Sequence, residues 1–171
     1  MYLSKGIKTM NERSVESSTM QTAGYTRDLA SLAARLALGL TFLYSVADRF
    51  GLLGPPGAAN VSWGSFTHFS GFVGVLNWFL PRAMIPAVAW IDSVLEAFLG
   101  LALLTGLWLR STALVSSLLL LTFATTMSVA LGIGAPFQYS VFTASAGALL
   151  LASTASSRWS LDRFFGVRPR T

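Results

Sequence analysis

Asp92 and Glu96 stand four residues apart inside a strongly apolar run, residues 84–109. Carboxylates at bilayer depth cost about 2.5–3.5 kcal/mol each on insertion scales, so they normally face a partner, a cavity or a site. A spacing of four puts both on one face of a helix. Two ionised acids this close in lipid repel, so at least one is expected to be neutral or paired with a cation. A carboxyl that can exchange a proton is a candidate general acid or base, or a polar anchor for a ligand headgroup.

The candidate partners are few. Arg35 lies about six residues into the first apolar run, and its axial offset from Glu96 is roughly 7–10 Å at 1.5 Å per residue. Two long side chains bridge that distance, which predicts a buried Arg35–Glu96 ion pair that satisfies both against lipid. Asp92 lies one turn nearer the other end, where Asp48 and Arg49 close the first run, so an Asp92–Arg49 contact stays open. His68, the only histidine, reads as an interfacial hydrogen-bonding residue, with a proton relay as the minor alternative. Gln138 and Tyr139, at the start of the last apolar run, form a polar and aromatic group expected to face the same cavity as Asp92 and His68. No catalytic residue set and no metal-ligand set is read from the chain.

These residues need elements to hold them. The 171 residues are 53% hydrophobic and only 11% charged. Soluble domains carry about 25% charged residues, so the composition is that of a membrane protein. Besides 84–109, three runs suit membrane helices, at 29–50, 112–132 and 139–157, the last being the shortest. The fold class expected is therefore all-α, an integral membrane four-helix bundle. Between the first two spans, Trp63, Phe66, Phe69, Phe72, Leu76 and Leu80 recur at helical spacing opposite Ser65, Thr67, Ser70 and Asn77. That segment predicts an amphipathic interfacial helix. Hydroxyl and small residues in the third and fourth spans predict close helix packing.

Residues 1–28 are polar with no apolar core, and read as a loosely docked cytoplasmic tail rather than a cleavable leader. Residues 158–171 read as a basic cytoplasmic tail. Lys5, Lys8, Arg13, Arg27, Arg110, Arg158, Arg163, Arg168 and Arg170 fall on one side of the membrane, and Arg49 and Arg82 on the other. The positive-inside rule then places both termini in the cytoplasm. The net charge of +5 follows from this bias and signals no nucleic-acid partner. The sequence contains no cysteine, which removes disulfide exchange, thiolate ligation and covalent c-type haem from this chain's own chemistry.

The run Arg35-Leu-Ala-Leu-Gly39, with Glu96-Ala-Phe-Leu-Gly100, Leu103-Leu-Thr-Gly106 and Arg110, resembles the DoxX family of small four-helix bacterial membrane proteins. The likeness spans about residues 30–155, though Ala47, Asp48 and Arg49 stand where many members carry a Gly and a Lys. It implies a four-helix bundle in the bacterial cytoplasmic membrane, associated with membrane redox complexes. The expected function is a membrane subunit that anchors or assembles such a complex with a protein partner or a second copy, without catalysis by this chain alone. The alternative is a quinone-binding subunit, with quinone as the candidate cofactor near Asp92, Glu96, His68 and Tyr139. Transport of a proton or small solute is the weakest expectation.

Overall fold

A computed structural model describes residues 2–154 and 160–161, with side chains from Glu16 onward except Ser17. Among these residues the chain is helical, with no strand. Six α-helices follow in order: α1 Tyr2–Arg49, α2 Phe66–Leu76, α3 Ile85–Thr105, α4 Leu109–Leu131, α5 Gly134–Gln138 and α6 Val141–Thr154. A single 3-10 turn, Arg82–Met84, leads into α3. Residues 2–28, expected as a loose tail, continue α1 without interruption; no proline breaks this stretch.

Three helical segments are long and apolar enough to cross a membrane: Ser18–Arg49, Arg82–Thr105 and Leu109–Leu131. Within 139–157, the expected fourth span, the described helix is the 14-residue α6, which starts after a left-handed Ser140, φ 55°, while the short α5 precedes the expected run. Residues 155–159 and 162–171, with Arg158, Arg163, Arg168 and Arg170 of the basic tail, lie outside the described residues. Among the described residues there are thus six α-helices rather than four, and three segments of span length. Four of them, α1, α3, α4 and α6, contact one another in a ring.

Antiparallel α1 and α3 meet through glycine. A Cβ on Gly39 would lie 3.0 Å from the Gly100 carbonyl oxygen, and one on Gly100 would lie 3.0 Å from Leu43. Small residues of this kind let helix backbones approach where lipid supplies no hydrophobic drive between helices. The core between the helices is built from Phe42, Leu99, Leu103, Leu109, Leu120 and Leu151. Across the ring, α4 and α6 exchange hydrogen bonds. Ser117 Oγ donates to the Ser145 carbonyl and Ser145 Oγ to the Ser117 carbonyl, each at 2.9 Å. Other α4 hydroxyls, on Thr122, Thr125 and Ser128, donate to carbonyls of their own helix one turn back. Ile91, Leu118 and Leu150 point outward and are about two-thirds exposed, the apolar exterior that lipid requires.

The amphipathic segment forms α2. Its N-cap Ser65 accepts from the His68 N–H, and its apolar face lays Phe69 and Val73 on Ile85 and Ala89 at the start of α3. Trp63 turns inward, with its ring 4.7 Å from Phe72.

Candidate functional site

α1 ends at a Schellman-type turn. Gly51, at φ 74°, donates to the Asp48 carbonyl, and Leu52 donates to the Ala47 carbonyl. This fixes where the last two helical side chains point. Asp48 turns toward the loop that follows. Its carboxylate accepts from the Ser62 and Trp63 N–H groups, both at 3.0 Å, and from Gly64 at 3.2 Å. Three donors to one buried carboxylate satisfy the charge and hold the 51–64 loop on the helix end. Gly64 is required there, because a Cβ would strike the Pro55–Pro56 backbone.

Arg49 turns toward α3. Its Nη1 lies 3.1 Å from Asp92 Oδ2 and its Nη2 lies 2.9 Å from Glu96. Nη1 also donates to Ser93 Oγ at 3.3 Å. Phe69 of α2 covers one face of the guanidinium, with the ring centroid 3.8 Å from Cζ. The arginine therefore uses its plane for the acids and its face for an aromatic ring. Spacing of four on α3 is what presents both carboxylates to one guanidinium. Arg49, Ser93 and Glu96 are buried, while the Asp92 side chain keeps 12% of its exposure. Two buried atoms in the cluster, Arg49 Nε and Glu96 Oε2, have no aligned hydrogen-bond partner, although Oε2 lies 2.9 Å from Nη2.

The partner expected for Glu96 is thus replaced. Arg35 does not pair with Glu96; it lies at the opposite end of α3, where Nε donates to the Leu103 carbonyl at 2.9 Å and Nη2 to the Leu104 carbonyl at 3.0 Å. These carbonyls belong to the last turn of α3, which lacks intrahelical donors and carries the negative end of the helix dipole. Gly106, at φ 70°, makes room: a Cβ there would lie 2.5 Å from Arg35 Nη2. The axial offset between Arg35 and Glu96 is not bridged: Arg35 spends its reach on the last α3 carbonyls, and Arg49 reaches both acids from the other end of α1.

The other expected site residues do not join this cluster. His68 is exposed on α2 and its Nδ1 lies 2.7 Å from Ser65 Oγ. Gln138 ends α5 and Tyr139 follows it, both exposed. Among the described residues no hydrogen bond or ion pair links any of the three to Asp92 or Glu96. Phe69 and Asp48 complete the cluster's surroundings. Only the Asp48-Arg49 pair closing an apolar run, before a loop rich in free N–H groups, signalled Asp48 in the sequence. An open groove of about 520 Å³ runs beside Ser70, Gly74, Trp78, Arg82 and Pro86, and another of about 460 Å³ beside Leu95, Phe98, Trp108 and Val115. Neither is lined by the two acids.

A family model, methylamine utilisation protein MauE, matches residues 27–138. The chain belongs to the MauE family. The match runs from the bundle part of α1 through α5 and includes every residue of the Arg49 cluster. It overturns the resemblance to DoxX. The motifs behind that resemblance, Arg35 to Gly39 and Glu96 to Gly100, coincide with helix-seam glycines and helix-end polar contacts, which small membrane bundles of different families share. With three span-length apolar helices, this MauE-family chain is a multi-pass membrane protein. No curated protein and no solved structure matches it.

Proposed function

We propose that this MauE-family chain is a non-catalytic membrane scaffold that anchors or assembles protein partners serving methylamine utilisation, the process in the family's name. The observation that carries this reading is how the interior polar groups are used. Arg49 holds Asp92 and Glu96, Arg35 closes the end of α3, Asp48 closes the loop, and Ser117 and Ser145 join two helices. Each of these contacts shapes the bundle, and none opens onto either groove. In this reading the start of α1 and the Arg110 turn face the cytoplasm, the side the lysine and arginine bias favours, and the C-terminus joins them where the 14-residue α6 completes a fourth crossing. In that orientation α2 and the Arg49 cluster occupy the outer half.

Gentle-detergent purification of the tagged chain from its own host, with crosslinking, tests the scaffold. A stoichiometric co-purifying protein, or a defined homo-oligomer, is expected; a clean monomer from crosslinked membranes overturns it. Deletion of the gene is expected to abolish growth on methylamine, and normal growth removes the link to that process. Because the sequence lacks cysteine, single cysteines placed in the N-terminal turns of α1 and in the 51–64 loop report orientation without background. Quinone binding at Asp92 and Glu96 is the lesser reading, since both carboxylates are already engaged by Arg49. Displaceable quinone binding that Glu96→Gln abolishes would promote it.

A further inference from the structure

The Arg49 cluster has more acid than base. The charged groups near it can be named. The cluster end of α1 supplies Arg49 and Asp48, α3 supplies Asp92 and Glu96, and the 3-10 turn before α3 supplies the exposed Arg82, which borders a groove and, among the described residues, makes no ion pair with either acid. α2 supplies no charge, only the Phe69 ring and the outward-facing His68. The only charged residue of α4 is Arg110, in its first turn, while α5 and α6 have none. Arg35 is seven residues away along α3, about 10 Å at 1.5 Å per residue, and is committed to carbonyls. Asp48 is settled separately by three N–H donors. One guanidinium therefore faces two carboxylates, and the cluster as ionised carries one uncompensated negative charge inside an apolar bundle.

The hydrogen bonds locate the shortfall. Asp92 Oδ2 and Glu96 Oε1 receive aligned Arg49 donors, but Glu96 Oε2 is buried without one. A metal cation would need six or more oxygens for calcium, or near-octahedral oxygen coordination for magnesium. Among the described residues no group of three acidic, histidine or cysteine side chains could hold a metal ion. The Ser93 hydroxyl is already used, donating to the Ala89 carbonyl and accepting from Arg49. A proton needs only one oxygen.

We propose that the Arg49–Asp92–Glu96 cluster is a single-proton site, with the exchangeable proton held on Glu96 and entering by way of Asp92. Asp92 is the member that reaches the surface, at 12% side-chain exposure against 3% for Glu96, and it lies one helical turn nearer the start of α3. Phe69, on the guanidinium face, keeps water from the rest of the cluster. This inference does not depend on the scaffold reading.

Infrared difference spectroscopy on the purified chain in lipid nanodiscs tests it. The wild type is expected to show one protonated-carboxyl C=O band that shifts in deuterium oxide and is lost once as the pH is raised. Absence of that band overturns the proposal, and this reading needs no variant. Glu96→Gln mimics the protonated acid in shape and charge. It is expected to lack the band and to keep the wild-type melting temperature at neutral pH, while Asp92→Asn, which leaves one carboxylate to one guanidinium, is expected to lose the band at a lower pH than the wild type. A band that survives Glu96→Gln, or a Glu96→Gln melting temperature as low as that of Arg49→Leu, overturns the assignment. Loss of the wild-type band when sodium replaces potassium, at fixed pH, would show a metal cation in the proton's place and overturn it too.

Discussion

Arg49→Leu is the most informative single change. Among the described residues it removes the only cation that pairs with Asp92 and Glu96, at 3.1 and 2.9 Å, and the ring contact with Phe69 at 3.8 Å. Removing one partner of a buried ion pair costs about 3–5 kcal/mol, because the remaining charge is left uncompensated. The lost cation–π contact adds about 1–2 kcal/mol when desolvated. Proton uptake by the freed carboxyls offsets part of this, so a net loss of about 3–5 kcal/mol is expected. For a chain of this length that is a fall of roughly 6–20 °C in melting temperature. Fluorescence-detected size exclusion after heating, in one detergent and at one pH, reads it directly. Replacing all three residues with leucine should recover most of the loss, since a buried charge cluster exchanged for apolar side chains is often neutral or stabilising. An Arg49→Leu variant melting within about 1 kcal/mol of the parent would refute the claim that this arginine holds the acids in the bundle.

Three further perturbations probe the rest of the frame. Gly39→Val places a branched side chain against the Gly100 carbonyl and Leu104, and should destabilise by about 1–3 kcal/mol in a denaturation series, through overpacking. Asp48→Ala orphans the Ser62, Trp63 and Gly64 N–H groups, so limited proteolysis should cut the 51–64 loop faster while α3 and α4 stay protected. Ser117→Ala and Ser145→Ala each delete one hydroxyl-to-carbonyl bond between α4 and α6, so each should destabilise by about 0.6–1.7 kcal/mol, and no loss from either would dismiss these reciprocal bonds.

Much of the fold was legible because lipid imposes a simple rule on sequence. The apolar runs 84–109 and 112–132 closely follow α3 and α4, and the period of Phe66, Phe69, Phe72 and Leu76 anticipates α2, though Ser65 proves to be its N-cap rather than part of its polar face. The last run could not be read so simply. Its 139–157 stretch says nothing of the left-handed Ser140 or of the short α5 before it. The acids were visible as a pair facing one side, but their partner was not. Arg35 and Arg49 lie on one helix, and with Gly39 against Gly100 Glu96 falls between them along the axis, so the choice depends on which way each side chain reaches. Arg35 turns to the α3 carbonyls and Arg49 to the acids, a direction that carries no signature in the sequence.

The two arginines of α1 also have a joint mechanical effect. Arg35 grips the final carbonyls of α3, and Arg49 grips its carboxylates about 21 Å away along α1, at 1.5 Å per residue. Apolar helix faces tolerate a small shear, but a slip of one turn here would unseat both grips together. α1 and α3 therefore behave as a single strut, and α4 and α6 as a second, tied by their serines. A push on the N-terminal extension of α1 passes along the strut without piston motion. It arrives as a rigid displacement of the loop and α2, and any sliding must occur between the two struts, about the left-handed Gly106 and Trp108 turn.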